Sequence, residues 1–191
     1  QAKAAQPWYR RLKTVCADME NMPFEDDSAD LIYSNLALQW ADAERAFAEF
    51  RRILKPGGLL MFTTFGPDSL KELRQAWAAV DQGQHVNELV DMHDLGDALI
   101  HGGFAEPVMD MEMFTLEYDN AMAVMRDLKA IGADTVHGAN QGLTTPRLVR
   151  AMLAQYDTLK QGDKVPATYE VVYGHAWAPV ASGAQTVQFQ R

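Results

Sequence analysis

Two short, near-continuous apolar runs, 30–36 (DLIYSNL) and 59–65 (LLMFTTF), have the pattern of buried strands. Between them Phe47, Phe50, Ile53 and Leu54 recur at helical spacing. That spacing predicts a helix capped by Asp42 and running to about Leu54. Lys55-Pro56-Gly57-Gly58 stops it, because proline cannot continue a helix and glycine accepts left-handed geometry. Residues 2–13 suit a short helix with Trp8 and Leu12 on one face, and 13–18 a strand ending in an acid. Pro23 and Glu25-Asp26-Asp27 form a solvated turn. Further helices are predicted at 68–80, capped by Asp68, and at 91–101, capped by Asp91 or Asp94 and ended by Gly102-Gly103. A strand at 109–118 is followed by helices at 119–131 and 145–160, with a glycine-containing loop at 132–142 between them. The last strand, 168–177 (TYEVVYGHAW), is rich in β-branched and aromatic residues and is bounded by Pro166 and Pro179. Its expected partners are 30–36 and 59–65. The alternation of strand and helix predicts an α/β domain with parallel strands joined by crossovers. The tail from Val180 to Arg191 is expected to be mobile.

Composition narrows the class. A length of 191 residues with 48% hydrophobic content suits one globular domain with a sizeable core. No apolar run is long enough to span a bilayer, and the polar, basic opening residues do not suit a secretory leader. The single cysteine, Cys16, excludes an internal disulfide framework and points to a cytoplasmic setting. A net charge of −9 argues against nucleic-acid binding. The charge is uneven: residues 120–160 carry Arg126, Lys129, Arg147, Arg150 and Lys160 against Asp127, Asp134 and Asp157.

Candidate chemistry follows from position. Asp18, Ser34 and Asn35 end predicted strands, on the rim where open α/β sheets place ligands. Each also has a local role open to it, in turn capping or backbone hydrogen bonding. Gly57-Gly58 is a turn, since the sequence contains neither G-x-G-x-x-G nor a Walker pattern. The five histidines show no metal-binding spacing, and no G-x-S-x-G elbow supports a hydrolase. Arg126 and Lys129 share a helical face, as a solvated surface or as an anion-binding edge. The residues alone give an α/β domain with ligand groups on one rim and name no reaction.

Longer motifs add a family. CADMENMPF (16–24), DLIYSNLALQW (30–40) and FRRILKPGGLL (50–60) resemble the central motifs of class I S-adenosylmethionine-dependent methyltransferases. DMHDLGDALIHGGFAEPVMDME (91–112), MRDLKAIGA (125–133) and PATYEVVYGHAW (166–177) are similar to the malonyl-[acyl-carrier protein] O-methyltransferases of the biotin pathway. The resemblance covers 14–178 and implies the C-terminal portion of a Rossmann-like methyltransferase fold, with a helical insertion at about 119–160 between the last two strands. It implies methyl transfer from S-adenosylmethionine to the free carboxylate of malonyl-acyl-carrier protein. It also implies cofactor contacts by Asp18 and Met19 to the adenine, and by Ser34, Asn35 and Leu36 beside the reacting centre. Arg126, Lys129, Arg147 and Arg150 are the candidates for the malonyl carboxylate and the acidic carrier protein. The alternatives are a methyltransferase acting on a quinone or another small acid, and a non-catalytic fragment that binds carrier protein.

The family's opening strand, its glycine-rich E/D-x-G-x-G-x-G loop and its ribose-binding acid have no counterpart in this sequence. From that departure this chain is expected to be a C-terminal piece, with cofactor affinity weak or lost and no measurable catalysis on its own. Exposed sheet edges would then favour self-association.

Overall fold

The computed structural model describes residues 13–131 and 145–180. Strand β1 (Ala29–Asn35) leads through a short 3-10 turn (Leu38–Trp40) and helix α1 (Ala43–Ile53) into β2 (Leu54–Phe65). Then come α2 (Lys71–Ala78), α3 (Met92–His101), β3 (Ala105–Tyr118), α4 (Ala121–Ala130), α5 (Pro146–Asp157) and β4 (Val165–Trp177). The strands form one sheet in the order β1-β2-β4-β3. β1 and β2 are parallel, as expected for a crossover through α1, whereas β4 is antiparallel to both of its neighbours.

Caps and breakers set most boundaries. Asp42 accepts a 3.1 Å hydrogen bond from Arg45 N–H at the start of α1, and Asp91 one of 2.8 Å from His93 N–H at the start of α3. Gly102 caps the end of α3, and Gly103 follows with φ +82°. Asn120 and Thr145 cap α4 and α5 in the same way as Asp42 caps α1.

Strand periodicity divides the sheet into two unlike faces. Leu60, Phe62, Val172 and Ala176 face α1 and α3, where Phe47, Phe50, Leu95, Leu99 and Phe104 complete the first core. Gly174 belongs to this face because the Phe62 ring lies over it: a Cβ there would meet Phe62 Cζ at 2.2 Å. The β3–β4 ribbon extends past the ends of β1 and β2, and on its opposite face α2, α4 and α5 pack on Val165 and Ala167. This second core holds Leu73, Trp77, Val124, Leu128, Met152 and Tyr156. Between these regions the row Tyr33, Met61, His175, Val108 is in register, and Tyr33 is 63% exposed.

Several expectations are corrected. Residues 13–17 form no strand, and Asp18 makes only an isolated bridge to Asn21. A strand needs a ladder partner for its peptide groups, and none pairs with this segment among the described residues. β4 pairs with β2 and β3, not with β1, because β1 occupies the other edge of β2. Pro166 lies inside β4 rather than before it, opposite Glu117, and its carbonyl accepts from Tyr156 Oη at 3.0 Å. Lys55–Gly58 is taken into β2 by a register shift, with Gly57 at φ +80°. Asp68 does not cap α2. The helix starts after Leu70, which sits at φ +57° without a side-chain cap, since residues 66–70 are tied to β4. The helix expected at 2–13, the loop at 132–142 and the tail beyond Val180 fall largely or wholly outside the described residues.

Candidate functional site

The C-terminal ends of β1 and β2 open onto a cavity of about 290 Å³. β1 ends at Asn35, and Leu36 turns away with φ +47°. Leu36 N–H donates to both Thr63 O and Thr63 Oγ1 at 3.0 Å. Thr63 Oγ1 in turn donates to Asn35 Oδ1 at 2.8 Å, so the Asn35 amide braces the strand end. Ser34 lies one residue below, buried, with its hydroxyl unpartnered. Leu36, Trp40, Phe65, Leu128, Ile131 and Tyr169 line the cavity, and its surface is mainly apolar.

Two buried acids fix another wall. Glu170, 5% exposed, accepts from Asp68 N–H at 2.8 Å through Oε2. Its backbone N–H donates to Ser69 Oγ at 3.0 Å, and its carbonyl accepts from Gly66 N–H at 2.9 Å. One turn on, Glu72 accepts from Thr168 N–H at 3.0 Å and from the Thr168 hydroxyl. Arg74 donates to Pro67 O and Ser69 O, both at 2.6 Å. The loop bearing Ser69 and Leu70 is therefore pinned between β4 and α2.

A second apolar cavity, about 320 Å³, lies on the outer face of the β3–β4 ribbon. Phe114, Leu116, Tyr118 and Val171 line it, and Phe65, Ile131 and Tyr169 are shared with the first cavity. Tyr118 Oη donates to Asp127 Oδ2 at 2.9 Å at its edge. Burial raises the pKa of both Tyr118 and Tyr169, so both are neutral phenols at pH 7. His85, which also lines the first cavity, stacks on Trp77 with ring centroids 3.7 Å apart, and its Nε2 lies 2.8 Å from Asp81 Oδ2. The His85 hydrogen bond lowers the Asp81 pKa. Among the described residues no group of three His, Cys, Asp or Glu side chains could hold a metal ion.

The sequence-predicted residues separate into three places. Leu36 lines the first cavity, and Ser34 and Asn35 support it from within the sheet. Asp18 and Met19 lie on an earlier turn and line neither cavity. Asp18 is exposed and accepts from Glu20 N–H at 3.0 Å, while Met19 packs against the first core. Arg126 and Lys129 are exposed on α4, and Arg147 and Arg150 on α5. None of the ion pairs among the described residues includes these four. Phe65, Ile131 and Tyr169 escaped the sequence reading. Their only signal is that Phe65 ends an apolar strand and Tyr169 lies in an aromatic one, which a core residue also gives.

The Asp18 turn is held by a charged node. Glu49 Oε1 accepts from Met22 N–H at 2.7 Å and from Arg52 at 2.7 Å. Arg52 also donates to Phe24 O at 2.7 Å and to Asp26 at 2.6 Å. The Arg52 hydrogen bond, opposed by burial, holds the Glu49 pKa below its usual 4.5. A depressed carboxyl pKa stabilises the fold fully above the unfolded value, and the contribution is lost as pH falls through the folded one. Melts in the acid range below pH 4.5 should therefore fall more steeply for the natural chain than for Glu49→Gln. Parallel curves would show that this node does not couple to folding.

Known proteins align with both fold and sequence. Residues 1–62 match the family model described as "Methyltransferase domain". The chain is 57% identical over 171 residues to the malonyl-[acyl-carrier protein] O-methyltransferase of Nitrosospira multiformis, covering 88% of this chain and 56% of that protein. It is 52% identical to the protein of the same name from Laribacter hongkongensis, over 95% of this chain and 62% of the relative. For Gallionella capsiferriformans the figures are 50%, 93% and 64%. The chain thus spans somewhat under two thirds of the length of these relatives. In structure it resembles the YcgJ protein of Bacillus subtilis, with TM-score 0.56 and 15% identity, over 85% of this chain and 69% of that one. A candidate methyltransferase from Bacillus halodurans gives 0.53 and 14%, over 86% and 70%. At such identities these two likenesses speak for the fold alone, and that fold is the α/β sheet of the class I methyltransferases. About half of the chain's residues are thus shared, along most of its length, with proteins named malonyl-[acyl-carrier protein] O-methyltransferase.

Proposed function

We propose that this chain serves S-adenosylmethionine-dependent methyl transfer to the free carboxylate of a malonyl group carried on acyl-carrier protein. The observation that carries the reading is the 50–57% identity to proteins of that name over 88–95% of the chain. The cavity at the ends of β1 and β2 supports it, because open α/β sheets bind ligands there. When bound, S-adenosylmethionine supplies an electrophilic methyl on a positively charged sulfur. The residues present fit that end of the cofactor: Trp40, Phe65 and Tyr169 line the cavity, and aromatic faces attract cations. Leu36, with Ser34 and Asn35 behind it, would flank the same end, and Asp18 and Met19 would take the adenine.

The acceptor requires little acid–base chemistry. A malonyl carboxylate is ionised at pH 7 and already nucleophilic, so no proton has to be removed. The apolar walls exclude water and leave the carboxylate poorly solvated, while the pinned Ser69-Leu70 loop keeps their shape. Helices α4 and α5 cover the substrate side, and their exposed Arg126, Lys129, Arg147 and Arg150 face an acidic carrier. The single cysteine suits a cytoplasmic setting, and the methyl ester suits a precursor of biotin. The reading is tested by incubating malonyl-acyl-carrier protein and S-adenosylmethionine with a form of the protein that carries the family's glycine-rich loop upstream of this chain, and weighing the product. A gain of one methyl group, reversed by ester hydrolysis, is expected; methylation of free small acids alone would overturn it. Charge reversal of Lys129 and Arg147 to Glu should raise the Michaelis constant for the carrier roughly tenfold. Affinity for S-adenosylhomocysteine should not change, and an unchanged Michaelis constant would remove these residues from carrier docking.

A further inference from the structure

We infer that the outer groove over Phe114, Leu116 and Tyr118 receives the thioester-linked arm that tethers the acceptor group to its carrier, an inference that rests on the function proposed above. A carrier protein cannot enter a cavity of about 290 Å³, so the group it bears must reach the reacting centre on a linker. The linker needs an apolar path outward from that cavity. The groove provides one, since Phe65, Ile131 and Tyr169 belong to both spaces. The Phe65 and Tyr169 rings, 5.6 Å apart between centroids, stand at the junction. From there the groove runs along Leu116 and Phe114, which are 48% and 39% exposed. Solvent exposure of such side chains on one continuous surface is costly unless a ligand covers them.

The polar features match the same occupant. A pantetheine-type arm is mostly hydrocarbon, interrupted by secondary amides. Tyr118 and Asp127, bonded at 2.9 Å at the groove's edge, offer oxygen acceptors for an amide N–H. Asp127 and Ile131 reach the groove from α4, the helix whose exposed face carries Arg126 and Lys129. A carrier docked on those cations would thus place the root of its arm beside the groove. The groove fixes reach and the cavity fixes chemistry, so discrimination between carried and free malonyl units falls to Phe114, Leu116 and Tyr169.

The test uses the full chain and three probes: malonyl-pantetheine, unacylated pantetheine and malonyl-acyl-carrier protein, each titrated calorimetrically. Leu116→Arg and Phe114→Glu place a charge in the groove. Thr115→Arg places one on the opposite face of the same strand and serves as the control. Both groove variants should bind malonyl-pantetheine and malonyl-carrier about tenfold more weakly, with Thr115→Arg unchanged. If a groove variant fails to fold, a diazirine-bearing pantetheine on the natural chain replaces it, and label on 114–118 or 169–171 is expected. Equal affinity in natural and groove-variant chains, or label elsewhere, overturns the inference. Equal binding of malonylated and bare pantetheine, lost in the groove variants, keeps the groove and overturns the malonyl reading. Absence of binding by every probe overturns the groove, while methyl ester formation still decides the reaction.

Discussion

Phe47→Ala should be among the most destabilising single changes, at about 3–5 kcal/mol. Phe47 is fully buried on α1 and meets three other rings, with centroids 6.4 Å from Phe50, 5.2 Å from Phe62 and 6.5 Å from Phe104. These rings come from α1, β2 and the turn before β3, so truncation leaves a void shared by three elements that cannot close on one side. A loss of that size is a large share of the roughly 5–15 kcal/mol that holds a domain folded. Denaturant titration of Phe47→Ala beside Phe24→Ala, an exposed ring, is the direct measurement. A loss under about 1 kcal/mol at Phe47 would mean that the first core repacks freely.

The second large effect is a coupling. Gly66 has no room for a side chain, because a Cβ would meet Glu170 Cδ at 2.4 Å and Oε1 at 2.5 Å. Gly66→Ala should therefore push the 66–70 loop off β4 and deform the wall of the first cavity. Glu170→Ala should do harm of another kind, leaving Asp68 N–H without its acceptor. Together the two changes relieve each other, since the second vacates the space that the first requires. The double variant is expected to be more stable than the sum of the single losses predicts, by about 0.5–3 kcal/mol. Simple additivity would show that the loop yields without cost.

Much of this architecture was legible from periodicity and punctuation. The spacing of Phe47, Phe50 and Ile53 after Asp42 gave α1, and Asp91 with Gly102-Gly103 bounded α3. These are local signals, and local signals survive folding. The errors share one cause: pairing depends on what lies beside a segment. Residues 13–18 have strand composition but no described neighbour to complete a ladder. Asp68 has a capping side chain, but β4 takes up the segment around it first. The site was half legible for the same reason. Ser34 and Asn35 were read from the end of a strand and Leu36 only from the resemblance, whereas Phe65, Ile131 and Tyr169 converge from three elements and carry no motif. Glu72 and Glu170 were invisible because buried acids with backbone partners look, in sequence, like any surface acid.

The last strand among the described residues, β4, occupies the second place from the edge of the sheet, between β2 and β3. Until residues 165–177 emerge during synthesis, the β1–β2 pair and β3 have no edge in common. A nascent chain stopped before Val165 would thus present two unsealed halves, each with unpaired peptide groups and open apolar surface. Closure joins residues far apart in sequence and should be slow, high-contact-order folding. Chaperone dependence during translation, relieved once residues 165–177 clear the ribosome, is the expected cellular consequence of placing β4 inside the sheet.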